Sequence, residues 1–239
     1  MIEFYETHEC EGQIARIEVD LSLIDNAPDE MRPWMLWLFV QVPDGTDKAF
    51  VAFRDDLIVA LSSQIDAVYA GTITQEGWSE LYFYADTSKK FENIITTVLN
   101  RHTPYASERG SARDGKWEMY LERLYPQSFD LIGIQNRDTI SALLDAGDDL
   151  GVEREVEHYL FFQTPTALER MMGILAQQGY VLKELLSDED GEYAHGASLV
   201  KVHAATPEII EEITATLFEQ VLQEHGIYEG WSTVMGENN

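Results

Sequence analysis

One short segment brings together side chains that could do acid–base chemistry, and it reads Glu155-Val156-Glu157-His158. On a strand, alternate residues point to opposite faces, so His158 lies beside Val156 while Glu157 faces the other way. A histidine in this setting could act as a general base or a metal ligand. Because its neighbours on the same face are apolar, we expect a histidine of the core or of a sheet edge that is paired with a carboxylate.

Two further patterns contain the residue types of metal sites without their spacing. His8 and Cys10 are not followed by a second pair of ligands at the distance that zinc sites use. Asp188, Asp190 and Glu192 are similar to a calcium-binding loop, but the glycine comes too early and the distant glutamate is missing. We expect a frayed chain end and an exposed turn at these places, and the sequence predicts neither a metal nor a cofactor.

The sequence also lacks a recognisable nucleophile or phosphate-binding loop. Ser198 and Lys201 form a Ser-x-x-Lys pattern, but on a strand a spacing of three puts the two side chains on opposite faces. The glycine-rich patterns Gly-x-x-x-x-Gly-Lys and Gly-x-Gly-x-x-Gly do not occur. We therefore assign no catalytic residue.

The charge of the chain narrows its possible partners. Against 16 Lys and Arg stand 43 Asp and Glu, for a formal net charge of −27. Such a surface repels nucleic acid and anionic membranes, and it attracts proteins with basic segments. Two alternatives stay open: the acidity could serve only solubility, or the basic stretch from Arg109 to Lys116 could bind RNA directly.

Cysteine content and hydropathy favour a cytoplasmic protein. Cys10 is the only cysteine and cannot form an internal disulfide, and residues 1–4 lack the pattern of a signal peptide. The longest apolar run, Trp34 to Val42, is shorter than the roughly 18 residues that a membrane span requires. We expect no membrane association, and the oligomeric state is left open.

The length of 239 residues predicts two domains, divided between Pro126 and Asp130. The first half reads as an α/β sandwich. Its patterns predict, in order, an edge strand within 13–24, a central strand at 34–40 that is buried on both faces, a helix that begins near Asp55 and is capped by Gly71, a hairpin around Glu76-Gly77, a helix at 91–99 and a loop at 105–115.

The second half contains an internal pseudo-repeat. Two strands are each followed by Thr-Pro, a helix, a glycine and another strand, with Thr164-Pro165 and Gly179 in the first unit and Thr206-Pro207 and Gly226 in the second. Threonine can cap a helix, proline suits its first position and glycine suits its left-handed exit. The order β-α-β-β-α-β predicts a ferredoxin-like (split βαβ) antiparallel sheet with helices on one face, and an α+β class for the whole chain.

One face of this predicted sheet would carry no helices. We place Glu157, Tyr159 and Phe161 there, together with Trp231 of the last strand. RNA-recognition domains stack bases on such aromatic residues, but acidic residues replace the basic ones of their signature here. We expect this face to pack against the other domain or a protein partner.

The second half resembles the regulator of ribonuclease activity B family. The similarity runs in order through Asn136-Arg137-Asp138, Gly147-Asp148-Asp149-Leu150, Arg154 to Tyr159, Gly179-Tyr180 and Gly230-Trp231. The resemblance implies a ferredoxin-like domain that binds the endoribonuclease ribonuclease E and restrains it. By match to the family motif, the candidate partner-binding residues are Asp148, Asp149, Arg154, Glu157 and His158, to which the sheet face adds Tyr159, Phe161 and Trp231.

The first half resembles the family named domain of unknown function 695. The residues that carry this similarity are Trp34 to Val42, Gly77-Trp78 to Tyr84, Trp117, Tyr120, Leu124 and Pro126. We thus divide the chain into residues 1–126 and 131–239. The function that we expect is non-enzymatic binding of ribonuclease E or related RNA-turnover machinery through an acidic surface; the alternative is a metal-assisted hydrolase.

Overall fold

The computed structural model of the chain describes residues 2–8, 14–42, 47–102, 105–188 and 191–236. It divides into two units, Met1–Gln127 and Ser128–Asn239, and in each of them helices pack on an antiparallel sheet. The predicted α+β class is confirmed. The predictions for Cys10 and Asp190 fall outside the described residues. None of the described helices is long and apolar enough to cross a membrane.

The first unit is built on a six-stranded sheet in the order β1-β2-β4-β5-β3-β6, with every neighbouring pair antiparallel. The strands are β1 (Ile2–His8), β2 (Ile14–Asp20), β3 (Trp34–Gln41), β4 (Val68–Gln75), β5 (Trp78–Ala85) and β6 (Ser107–Arg113). Helices α1 (Lys48–Ile65) and α2 (Phe91–Leu99) cover one face and close the main apolar core. A 3₁₀ helix, Leu21–Asn26, and a π-helix, Met119–Leu124, complete the unit.

The first helix and the first sheet edge differ from their predictions. Helix α1 begins earlier, because the Asp47 carboxylate accepts the amides of Ala49 and Phe50 at 2.8 and 3.1 Å, and it ends at the left-handed residue Asp66. Gly71 therefore lies inside β4 and does not cap a helix. Strand β2 is not an edge, since β1, which we did not predict, pairs with it on the outer side.

The predicted loop at 105–115 is mostly strand β6, which pairs with β3. An edge strand has a hydrogen-bonding neighbour on one side only and can be polar and exposed, which hides it from hydropathy patterns. Strand β3 is buried on one face only: Leu36, Leu38 and Val40 are inaccessible, whereas Trp37 is half-buried. The hairpin around Glu76-Gly77 and the helix at 91–99 are confirmed.

The second unit has the predicted order β-α-β-β-α-β, preceded by helix α3 (Ser128–Asp145). Its further elements are β7 (Arg154–Phe162), α4 (Pro165–Gln177), β8 (Val181–Ser187), β9 (His195–His203), α5 (Pro207–Gln223) and β10 (Gly226–Thr233). The four strands form an antiparallel sheet in the order β10-β7-β9-β8. Helices α3, α4 and α5 lie on one side of it, and we call the other side the helix-free face.

The two halves of the pseudo-repeat differ in their capping details. The Thr164 hydroxyl accepts the Ala167 amide at 3.3 Å, but the Thr206 side chain makes no such bond. Gly179 has the left-handed φ of +88° that was expected. In the second half His225 takes that conformation, and Gly226 is required because a Cβ there would lie 2.4 Å from Cε1 of Phe162.

This packing of Gly226 leads to a stability prediction. Gly226→Ala should lower the free energy of unfolding by about 1–3 kcal/mol, because the fully buried Phe162 ring must move. The control is Gly173→Ala in α4, where a Cβ meets no atom within 4 Å and the better helix propensity should add up to about 1 kcal/mol. Urea denaturation of the full chain measures both. Equal behaviour of the two variants would contradict this account of Gly226.

Candidate functional site

Asp148 and Arg154 form a buried ion pair at the start of β7. The Arg154 Nη1 donates to Asp148 Oδ1 and Oδ2 at 2.7 and 2.6 Å, and the two side chains are 0–5% exposed. The remaining guanidinium donors bind main-chain oxygens: Nε donates to Val152 at 3.0 Å and Nη2 to Asp149 at 2.5 Å. The hydrogen bond from Arg154 lowers the pKa of Asp148, against the opposing effect of burial.

This arrangement ties three segments of the second unit together. Asp148 also accepts the amide of Gly236 at 2.8 Å, so the pair joins the loop before β7, the strand itself and the segment after β10. The Asp149 side chain, by contrast, is exposed, and its Oδ1 accepts the Gly151 amide at 3.0 Å. Of these three motif residues, only Asp149 presents its side chain to solvent.

His158 is fully buried and belongs to a chain of three side chains. Its Nδ1 lies 2.8 Å from the hydroxyl of Tyr228, and its Nε2 lies 3.3 Å from Nε2 of His203. His203 Nδ1 lies 2.7 Å from the carbonyl oxygen of Ala204, which can only accept. One proton arrangement satisfies every contact: Tyr228 donates to His158, His158 donates to His203, and His203 donates to Ala204.

Both histidines are therefore neutral in the folded protein. Burial lowers the pKa of His158 to about 3 and also lowers the pKa of His203. The positive charge of Lys201 acts on both in the same direction. Burial raises the pKa of Tyr228. The prediction of a core histidine was right, but its partners are a tyrosine and a second histidine, and not a carboxylate.

Trp231 was placed on the wrong face of the sheet. It pairs directly with His158, so it points toward the helices, where it is 8% exposed and packs with Val156 and Ile210. The cause is a β-bulge between Tyr228 and Gly230, which shifts the alternation by one residue. The indole Nε1 donates to Oδ1 of Asn136 at 2.8 Å, and Asn136 Nδ2 donates to Thr214 at 2.9 Å.

Glu157, Tyr159 and Phe161 do lie together on the helix-free face, each partly exposed. Glu157 forms an ion pair with Lys183, and the hydrogen bond from Lys183 lowers the pKa of the Glu157 carboxylate. The Tyr159 hydroxyl is 2.8 Å from that of Ser232. The Phe161 ring lies over Gly196, where a Cβ would come within 2.5 Å of it.

A cavity of about 460 Å³ opens beside Phe161. Phe161, Leu186 and Ile227 provide apolar walls, and the acidic residues are Asp188, Glu192 and Glu229. The pKa of Glu229 is raised by burial and by the charge of Asp188. None of the described residues that line this cavity is basic, so a cationic side chain would find both apolar walls and carboxylates there.

Sequence reasoning missed the residues that complete these clusters: His203, Tyr228 and Asn136. Tyr228 and Trp231 are three apart, which on a regular strand would put them on opposite faces, and only the bulge brings both to the helix side. Within the part of the chain that the structure describes, no three His, Cys, Asp or Glu side chains are grouped so that they could hold a metal ion.

The ion pair predicts unequal effects of two neighbouring substitutions. Asp148→Asn should lower the free energy of unfolding by about 2–3 kcal/mol at neutral pH, because the buried Arg154 loses its counter-charge. Asp149→Asn, the control, should change it little because an amide oxygen can still accept the Gly151 amide. Since the pKa of Asp148 is lowered on folding from 3.8, the difference should shrink as pH falls below that value. Equal effects of the two changes would contradict the structural role.

The histidine chain predicts a loss of stability in mild acid. The pKa of His158 falls from 6.5 to about 3 on folding, so between these values the unfolded chain binds a proton that the folded chain excludes. In urea denaturation, the free energy of unfolding should therefore fall as the pH drops below 6.5, by about 1.4 kcal/mol per pH unit from His158. His158→Gln should flatten this slope. His225→Asn, at an exposed residue that is not one of these hydrogen-bonded side chains, should retain it. A slope unaffected by His158→Gln would rule the mechanism out.

In the comparison with known proteins, the two halves match the models of different families. Residues 133–233 match the model of "Regulator of ribonuclease activity B", and residues 3–125 match the "Family of unknown function (DUF695)". Among curated proteins, none matches the chain in sequence with statistical significance.

Two solved structures are similar over much of the chain. One is an unknown protein from Galdieria sulphuraria, with 12% identity over 85% of this chain and 99% of that chain and a TM-score of 0.25. The other, provisionally described as a glycine cleavage system transcriptional repressor, has 9% identity over 85% of this chain and 97% of that chain and the same TM-score of 0.25. Similarity at this level carries no functional argument.

Both family matches agree with the resemblances seen in the sequence. The match at 3–125 extends over slightly more than half of the chain. The chain therefore belongs to the DUF695 family, with a second unit that matches Regulator of ribonuclease activity B.

Proposed function

We propose that this chain regulates RNA turnover by binding a ribonuclease, of the ribonuclease E type, and that it acts without catalysis. The observation that carries the proposal is the match of residues 133–233 to Regulator of ribonuclease activity B. A cytoplasmic location follows from the same proposal, because the target acts on transcripts, and the single cysteine is compatible with it.

The structure divides the eight candidate residues by what their side chains can reach. Asp148, Arg154, His158 and Trp231 are buried and bonded within the second unit, so we propose that they hold the surface in place. The other four have exposed or partly exposed side chains, and we propose that they contact the partner: Asp149, Glu157, Tyr159 and Phe161.

The charge of the chain supports a cationic partner segment. A net charge of −27 accelerates encounter with an arginine-rich disordered region, and it disfavours direct RNA binding. Long-range attraction alone would not select a site. The cavity beside Phe161 supplies a local one: an arginine stem can lie against Leu186 and Ile227 while its guanidinium reaches the carboxylates of Asp188 and Glu229.

A charge-reversal pair tests this surface. Asp188→Lys combined with Glu229→Lys should weaken binding of a fluorescent peptide from the arginine-rich region of ribonuclease E by at least about tenfold, since two carboxylates become cations at the site. The control, Glu169→Lys with Glu219→Lys, changes the net charge equally at exposed helix positions. Fluorescence anisotropy at low and at physiological ionic strength measures both.

Equal weakening by the two double variants would show that only the overall charge matters and would remove the site from the proposal. In a companion assay, the wild-type chain should slow cleavage of a model transcript by purified ribonuclease E. Unchanged cleavage, together with no peptide binding at either ionic strength, would refute the proposed function.

A further inference from the structure

Strand β8 forms one edge of the four-stranded sheet, and its outer side is unpaired among the described residues. It is also apolar and exposed: Val181, Leu182 and Leu185 are 67%, 45% and 61% accessible. Natural proteins usually protect an edge with charge, proline or a bulge, because a free edge can pair with another strand. β8 has Lys183 and a bulge at that residue, but these do not cover its three large apolar side chains.

The sequence of β8 is complementary to itself when it is read in the opposite direction. In an antiparallel pair of two copies centred between Lys183 and Glu184, Lys183 of each copy stands opposite Glu184 of the other. In the same register Leu182 meets Leu185, and Val181 meets Leu186. Cross-strand pairs of opposite charge and of apolar residues stabilise a sheet.

The faces of the sheet agree with this register. Leu182 and Leu185 pair with Leu199 and Ala197 of β9, so both point toward the helices. Val181 and Leu186 pair with Val200 and Gly196, which places both on the helix-free face. The bulge is what puts Leu182 and Leu185 on one face although they are three residues apart.

We propose that β8 pairs antiparallel with β8 of a second copy of this chain, joining two four-stranded sheets across a two-fold axis between Lys183 and Glu184. The interface is isologous, as closed dimers require. This inference is independent of the proposed function.

A shallow cavity supplies further complementarity. About 330 Å³ of space lies beside Val181, Val200 and Val202 at the start of β8, and Val202 is 59% exposed. In the proposed register, Leu186 of the second copy comes opposite Val181, next to these valines. Within its own chain, Lys183 has Glu157 of β7 as an ion-pair partner, in addition to the Glu184 that the register places opposite it.

The net charge sets how this dimer should respond to salt. Two chains that each carry −27 repel one another, and salt screens that repulsion. Association should therefore strengthen as ionic strength rises, the reverse of what is expected for a cationic peptide partner. Sedimentation equilibrium over a range of chain and salt concentrations measures this. A chain that stays monomeric throughout would overturn the proposal.

Cysteine crosslinking tests the register. In a Cys10→Ser background, Leu182→Cys chains mixed with Leu185→Cys chains should form a disulfide-linked dimer, because opposed residues have Cα atoms about 4.5–5.5 Å apart, within disulfide reach. Either variant alone should crosslink at least about tenfold more slowly, since like positions are then offset along the strands. Equal crosslinking in all three samples would overturn the register.

Charge exchange provides a second test with a built-in rescue. Glu184→Lys places two lysines opposite each other and should raise the dimer dissociation constant at least about tenfold. Adding Lys183→Glu restores opposite charges between copies and should recover association. Val59→Lys, at an exposed position of α1, is the control and should leave the dimer intact. This interface is excluded if Glu184→Lys leaves the dissociation constant of the dimer unchanged. It is also excluded if the double variant is folded as a monomer but does not regain association.

Discussion

The hydrogen-bonded position of β7 between β9 and β10 is the constraint on which the second unit depends. Because both neighbours are antiparallel, each β7 residue shares a face with its partners on β9 and β10, and the bulge in β10 shifts that register once. His158 is thereby placed against the helices, and Tyr159 and Phe161 on the helix-free face. A slip of one residue would exchange the two sets and expose the hydrogen-bonded side chains of His158, His203 and Tyr228, all of which are buried.

Two groups of buried polar side chains in this unit form internal hydrogen-bond networks. Arg154 uses its donors on Asp148 and main-chain oxygens, and the pair of His158 and His203 ends on a tyrosine hydroxyl and a carbonyl. Such groups are costly to bury unless every donor finds an acceptor, which accounts for the dense bonding. It also means that these polar residues shape the domain, while Asp149, Glu157, Tyr159 and Phe161 keep exposed or partly exposed side chains.

Elements whose local pattern and tertiary role agree could be predicted from the sequence. The Thr-Pro helix starts of the pseudo-repeat, the Glu76-Gly77 hairpin and helix α2 are of this kind, because caps, turns and apolar periodicity are local properties. The failures were elements that depend on a distant partner. Strands β1 and β6 are polar or exposed edges that exist because β2 and β3 supply hydrogen bonds to them.

The same distinction holds for the candidate site. Sequence by itself determined the acidic charge, the presence of two domains with an α+β composition, and the candidate motif from Asp148 to His158. Only tertiary structure decided that Asp148 and Arg154 neutralise each other, that His158 meets His203, and that a bulge turns Trp231 toward Asn136. The physical reason is that composition and periodicity act through neighbouring residues, whereas burial and hydrogen-bond partners are set by segments far apart in the chain.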